Sequence, residues 1–315
     1  LACLCIANVQ KSTPTKGMEI IYNLPPLDIH IQRIGMNNYL RIKYQVQKSW
    51  DGIGHKMNGH LKRYERECDE IGLSNLPTDS TLPLRVWERK FTINEFKIDS
   101  FEENQSSIYC YTDGSKIEKS KSGCGFIIKH KGKTLKEGFE GLGKVPTVFQ
   151  SEVLAIIRGC EALLNRCSQK IVIRSDSQAT LLALKSNKIN SSLVLECFKT
   201  LNALGEKNKI TVQWIKAHVG FQGNEEADKL AKKGAELVIE GPEPFLPVPD
   251  SFFKSYNDRI VFSTWNKRWK KDTSCRQTFQ WMPSTNKKVE KCLKNITRLD
   301  LSKLVQFITG HCNLM

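Results

Sequence analysis

Between residues 104 and 238, short apolar runs of strand character give way to longer stretches of helical period, and that change of period limits the fold more than any other feature. Residues 108–112 and 123–129 read as strands with a turn at Asp113-Gly114-Ser115, and 133–138 reads as a third strand after a short hairpin link, Lys131-Gly132-Lys133. A helix is expected over about 147–165, then a strand at 170–174, helices near 177–185 and 191–205, a strand at 210–215 and a last helix over about 224–237. Three meandering strands followed by alternating strands and helices imply an α/β unit, a mixed sheet with helices packed on its faces.

Composition shifts mark the edges of that unit. The polar stretch 99–107 precedes it, and residues 241–249 contain four prolines, which cannot continue a helix. The expected organisation is therefore a segment 1–45, a linker region 46–103 with a helix around 59–71, the α/β domain 104–238, a Pro-rich linker 239–249 and a basic helical segment 250–315. The chain starts at Leu1 rather than Met and stops just after Gly310-His311-Cys312, which suggests a piece of a longer product.

With 48 Lys and Arg against 33 Asp and Glu, the formal net charge is +15, the signature of a polyanionic partner. Residues 1–103 carry +1, 104–238 carry +8 and 239–315 carry +6, so the grip on a polyanion is expected in the middle and last thirds. No run approaches the roughly 20 apolar residues of a membrane span; the charge alone fits nucleic acid or an anionic membrane surface, and it is the motifs below that leave no membrane partner expected. The apolar start, residues 1–9, lacks the basic leader and cleavage pattern of a signal peptide and reads as a buried helix or strand. Eleven cysteines, odd in number and without a CxxC pair, sit mostly in apolar runs (Cys110, Cys124, Cys160, Cys197), as small buried hydrophobes in a reducing, intracellular setting, nucleus or cytoplasm.

Four carboxylates interrupt the pattern. Asp113 ends the first strand, where a turn aspartate before glycine would also suffice. Glu152 shares its helix face with Phe149, Ile156, Cys160 and Leu163, within roughly 80°, so it points along the apolar side, and burying a lone carboxylate is costly. Asp176 closes the strand 171–175, whose unbroken apolar start is the pattern of a central strand, and ligand sites gather at the carboxyl ends of such strands, although a helix N-cap is the plainer role. Asp228 lies in the first turns of the last helix after Asn224, its expected N-cap. Ala231 and Ala235 on the same face would let that helix approach closely. Separations of 39, 24 and 52 residues mean that only a fold could gather the four. Gathered, they would repel one another unless a hard divalent cation neutralised them.

Five motifs in order (Tyr111-Thr112-Asp113-Gly114-Ser115, Gln150-Ser151-Glu152-Val153-Leu154-Ala155-Ile156, Ser175-Asp176-Ser177-Gln178-Ala179, the loop Trp214-Ile215-Lys216-Ala217-His218-Val219-Gly220, and Gly223-Asn224-Glu225-Glu226-Ala227-Asp228) resemble ribonuclease H of the cellular and retroelement type, over about residues 106–237. The resemblance implies a ribonuclease H-like five-stranded mixed sheet flanked by helices, with mainly helical N- and C-terminal flanks. It implies hydrolysis of the RNA strand of an RNA–DNA hybrid with two Mg²⁺ ions, for which Mn²⁺ can substitute. Asp113, Glu152, Asp176 and Asp228 would hold the metals, and His218 would assist proton handling or product release. Gly114, Ser115, Gln150, Ser177 and Gln178 would line the hybrid, and a contact to the RNA 2′-OH would distinguish RNA from DNA. Only residues 186–190 separate the two central helices, which leaves no room for the basic protrusion some cellular members carry, so the grip must come from elsewhere.

The flanks resemble another part of the same kind of element. Ala2-Cys3-Leu4-Cys5, Thr13-Pro14-Thr15 and Asn23-Leu24-Pro25-Pro26-Leu27 look like the segment between reverse transcriptase and ribonuclease H in insect-type non-LTR retrotransposon polyproteins, which implies a reverse transcriptase as partner in cis or in trans. The alternative is a catalytically silent remnant that binds nucleic acid without cutting it. In the tail, Trp265 and Trp269 at i,i+4 among cations fit either a stacking surface or an amphipathic helix packing both rings, the latter being favoured. Cys275, Cys292, His311 and Cys312 lack the close pairs of a zinc module.

Overall fold

The computed structural model describes residues 2–45, 59–70, 72–73, 76–94, 103–117, 121–217, 219–237, 243–293 and 295–311. The chain divides into two compact units: residues 41–56 with 69–252, and residues 1–40 with 57–68 and 253–315.

The first of these is the α/β unit. Strands β1 (Ser80–Arg85), β2 (Phe91–Asn94), β3 (Ser107–Ile117), β4 (Lys121–His130) and β5 (Lys133–Gly143) precede helix α5 (Val148–Glu161). Then come β6 (Lys170–Ser175), α6 (Gln178–Lys185), β7 (Lys188–Ser191), α7 (Ser192–Gly205), β8 (Lys209–Trp214) and α8 (Gln222–Glu236). The main sheet runs β2-β8-β6-β3-β4-β5, antiparallel from β3 through β5 and parallel from β3 through β6 and β8 to β2. It has six strands where five were expected, because Phe91–Asn94 adds itself in parallel beside β8. Phe91 is buried and meets Phe198 of α7 edge-on, ring centroids 5.6 Å apart.

Described residues of the expected linkers, 76–94 and 243–249, are thus built into this unit. Strand β1 pairs antiparallel with β7, the short connection between α6 and α7 that left no space for a protrusion. Just before β1, Asp79 is buried and accepts from Ser191 Oγ, Ser192 Oγ and the Leu193 amide at 2.9–3.0 Å, closing the N-terminus of α7. The Pro-rich stretch is stitched down as well: Val248 is fully buried, its carbonyl accepts from the Asp79 amide at 2.9 Å, and its own amide donates to Pro77 at 2.6 Å.

Between the sheet and helices α5, α6 and α7 lies a core of aliphatic side chains that includes Cys110, Cys124, Cys160 and Cys197. Burial pushes the thiols of Cys110 and Cys124 up to about 12, so they remain protonated hydrophobes. Helix α8 covers the opposite face, and the small residues on it decide how closely. A Cβ on Gly125 would lie 2.5 Å from the Ala231 nitrogen, and one on Gly123 would lie 2.2 Å from that of Ala235. The helix therefore rests directly on the β4 backbone.

The second unit is helical: α1 (Ala2–Ala7), α2 (Thr15–Ile21), α3 (Leu27–Gln45) and α4 (His60–Glu70) from the first part of the chain, then α9 (Asp250–Lys270), α10 (Arg276–Trp281), α11 (Lys287–Leu293) and α12 (Arg298–Thr309) from the last. The two parts share one core, in which Met18, Ile20 and Ile21 pack with Val261, Trp265 and Val305. Trp265 and Trp269 are 2% and 3% exposed, and the Trp269 indole donates to the Met282 carbonyl at 2.8 Å. They are core residues, as the amphipathic helix required. None of the described helices is long and apolar enough to cross a membrane.

Candidate active site

Three carboxylates from three separate elements converge on one edge of the α/β unit. Asp113 stands within β3, Glu152 in the second turn of α5 and Asp176 just past the end of β6, with one oxygen of each within 4.8 Å of the others. The parallel pairing of β3 with β6 sets Thr112 opposite Ser175, so the next residue of each strand, an aspartate, reaches the same level. Gly114 brings in the third. A Cβ there would lie 2.4 Å from the Glu152 nitrogen and 2.7 Å from the Ser151 carbonyl carbon, so glycine lets α5 abut the strand. Thr147 and Gln150 close that end of α5 with a reciprocal cap.

Asp113 and Glu152 are 7% and 5% exposed. Burial, reinforced by Asp176 and Asp228, pushes the Asp113 carboxyl up to about 7. Glu152 is raised well above the ordinary carboxylate range, first by burial and then by Asp113 and Asp176. The local donors are few: the Gly114 amide to Asp113 Oδ1 at 2.9 Å, and Asn224 Nδ2 to Asp176 Oδ2 at 3.0 Å. Glu152 Oε2 is buried with no hydrogen-bond partner. An unpartnered carboxylate oxygen among other carboxylates costs several kcal/mol unless positive charge joins it. A hard divalent cation takes oxygen ligands of this type, so the donor set fits such an ion.

Asp228 stands outside the group of three. Its charge helps to raise the Asp113 carboxyl, and its Oδ2 accepts from Lys232 Nζ at 2.6 Å, one helical turn along α8. The i,i+4 spacing of Asp228 and Lys232 was the available sequence signal for that pair.

Several expectations need correction. No turn interrupts residues 113–115: β3 runs straight through to Ile117, with Asp113 opposite Gly125. Asp176 is not the cap of α6, since the Ser177 hydroxyl takes that place and accepts from the Thr180 amide. Helix α8 starts at Gln222, so Asn224 lies inside its first turn and spends its side chain on Asp176 instead of capping. Gln150 is 1% exposed, with its amide bonded to Pro247, Asp79 and the Thr147 cap, which leaves its side chain nothing to offer a hybrid. Ser115 and Ser177 are half-buried, Gln178 is exposed at the start of α6, and Gly114 is buried against α5. His218 lies outside the described residues, as does Cys312.

One buried group escaped the sequence reading. Arg174 is 3% exposed, with its guanidinium 4.5 Å from the Tyr109 ring centroid. It donates to Tyr111 Oη and Gln213 Oε1, both at 2.8 Å, and Tyr111 in turn donates to Glu103 at 2.5 Å. A cation directly after the apolar run Ile171-Val172-Ile173 was the signal.

A model of the RNase H family matches residues 105–236. Ribonuclease H of Pseudomonas entomophila (strain L48) is 30% identical over 145 residues, which span 42% of this chain and 95% of that protein. Ribonuclease HI of Neisseria meningitidis serogroup B (strain ATCC BAA-335 / MC58) is 32% identical over 142 residues, 41% of this chain and 95% of that protein. Among solved structures, RNase H1 from the halophilic archaeon Halobacterium salinarum NRC-1 covers 41% of this chain and 96% of its own, at 22% identity and a TM-score of 0.35. LC11-RNase H1 in complex with RNA/DNA hybrid covers 41% and 97%, at 22% identity and a TM-score of 0.36. With 95% of the length of those curated enzymes matched at 30% and 32% identity, and with a mixed sheet that gathers the acids of three separate motifs, the chain belongs to the ribonuclease H family.

Proposed function

We propose that the chain hydrolyses the RNA strand of RNA–DNA hybrids endonucleolytically, with two Mg²⁺ ions held by Asp113, Glu152, Asp176 and Asp228. The observation that carries this reading is the Glu152 Oε2 atom, buried without a partner inside a group of three carboxylates. The names of the curated relatives, Ribonuclease H and Ribonuclease HI, support it. When bound, such ions activate a water and neutralise charge on the leaving oxygen of a phosphodiester.

The chain's own residues arrange the rest. Gly114 and the capped end of α5 fix Glu152 against Asp113, and Asn224 orients Asp176 through its donated bond. Lys232 holds the Asp228 carboxylate in place beside Asp113. Ser115, Ser177 and the exposed Gln178 lie on the motifs that would meet the hybrid, and His218 would move a proton or help product leave. The resemblance of residues 1–45 supports an origin in an insect-type non-LTR retrotransposon polyprotein, with a reverse transcriptase working in cis or in trans.

Purified full chain with Mg²⁺ should cut RNA paired to DNA and spare unpaired RNA, and Asp113→Asn should abolish cutting. Equal cleavage of unpaired RNA, or full activity in that variant, overturns the proposal. Tight hybrid binding without turnover at saturating Mg²⁺ points instead to the silent remnant.

A further inference from the structure

The fold redistributes the charge of the chain. The helical unit contains 19 Lys and Arg against 8 Asp and Glu, a net +11, while the α/β unit contains 29 against 25, a net +4. Most of the excess therefore lies on residues that carry none of the ribonuclease H motifs. Helix α9 is where it becomes a surface. One ridge of α9, Phe253, Asn257, Val261, Trp265 and Trp269, is buried in the core. Two residues further on, at the same i,i+4 spacing, the opposite ridge reads Ser255, Arg259, Ser263, Lys267 and, just past the helix end, Lys271, and all five are exposed. Successive members rise about 6 Å and the ridge is about 24 Å long.

This ridge is uncompensated. Four of the eight acids of the helical unit are paired with other cations: Asp28 with Arg268, Asp258 with Arg33, Asp272 with Lys16 and Glu67 with Arg63. Among the described residues, Arg259, Lys267 and Lys271 have no acidic partner. The remaining two positions are hydroxyls, which can donate to phosphate oxygens. A membrane-surface helix would need its apolar side free to enter lipid, and here that side is consumed by the core. The buried ridge also fixes the outer one: Asn257 donates to the Arg33 carbonyl and to Asn37 Oδ1, both at 3.0 Å, so the cations project from a braced helix.

We infer that the outer ridge of α9 binds the phosphate backbone of the RNA–DNA hybrid, supplying the grip that the short β7 connection denies the α/β unit. The inference rests on the hybrid-cleavage reading for the identity of the nucleic acid, but not for the binding itself. The test uses the full chain and a fluorescent hybrid of about 20 base pairs, without divalent metal, with anisotropy followed across a salt series. Each neutralised phosphate contact steepens the fall of log affinity with log salt by about 0.9. The triple variant Arg259→Gln/Lys267→Gln/Lys271→Gln should raise Kd at least about tenfold and flatten that slope by about 2–3. A control with the same charge loss on the same unit, Arg276→Gln/Lys291→Gln/Lys303→Gln, should move both far less, and Arg259→Lys should retain binding.

Equal effects of the ridge and control variants overturn the inference, as does a ridge variant that loses binding to phosphatidylserine vesicles while holding hybrid as before. A chain that binds hybrid through the ridge yet cuts nothing with Mg²⁺ overturns the cleavage reading and leaves the ridge standing.

Discussion

The side-chain amide of Asn224 donates to Asp176 Oδ2 at 3.0 Å, while its own Oδ1 is buried without a hydrogen-bond partner. It gives Asp176 a donor that leaves the other carboxylate oxygen free, so Asn224 orients the acid without neutralising it. Asn224→Ala should weaken Mg²⁺ binding about tenfold, read by isothermal titration, because losing a supporting bond to a ligand typically costs that much. Asn224→Asp should weaken it or break the fold, since it replaces a donor by another anion beside Asp176; tighter binding would show that charge, not orientation, limits the site.

The raised Asp113 carboxyl makes stability depend on pH in a defined direction. Its value is about 7 in the fold against an ordinary 3.8, so between those limits the folded state holds the extra proton and stability falls as pH rises. In EDTA the melting temperature should therefore drop from pH 5 to pH 8, and added Mg²⁺ should restore more at pH 8 than at pH 5. Asp113→Asn should remove much of that slope and raise the metal-free melting temperature by roughly 2–6 °C at pH 8. A metal-free melting temperature that climbs with pH over this range contradicts the electrostatics.

Gly114→Ala tests the junction between strand and helix. The added carbon would meet backbone atoms of Ser151 and Glu152, which cannot swing aside as a flexible side chain can. A loss of roughly 2–4 kcal/mol is expected, of the order of other overpacked or strained core sites, together with loss of hybrid cleavage. Urea unfolding and a cleavage assay would show whether α5 can shift without penalty.

A fragment limited to residues 104–238 would lose β1, β2 and the Asp79 cap, and would uncover the side of Phe198 that Phe91 covers. It should unfold at markedly lower denaturant than residues 69–252, and the point variant Asp79→Ala should cost about 2–4 kcal/mol in the longer form because several donors at the start of α7 lose their acceptor. Equal stability of the two fragments would make the added strands ornamental.

Much of this was legible in the sequence because it depends on short-range order. The three meandering strands and the helices expected at 147–165 and 191–205 follow from apolar period and caps, and all five are present, although the first and third strands each run five residues past their expected ends. The anomaly of Glu152 on an apolar helix face pointed to the site before any fold was known. Ala231 and Ala235 announced a close approach, and the approach is to Gly123 and Gly125. The misses share a cause. Asp113 followed by glycine looks like a turn locally, yet the strand continues because β4 pairs with it as far as Ile117. Residues 77–94 and 248 looked like linker because prolines and polar residues are read by composition, whereas Asp79 and Val248 owe their order to partners distant in the chain.

The sequence by itself determined the local elements, the identity of the acids and the excess of positive charge, since these are properties of neighbouring residues or of composition. Tertiary structure alone decided that Asp113, Glu152 and Asp176 share one site, that Phe91–Asn94 extends the sheet, and that the two ends of the chain form one helical unit carrying most of the net charge. The physical reason is separation along the chain: the cost of closing such loops is offset only by burial of a common core, and no local pattern records which distant segments will share it.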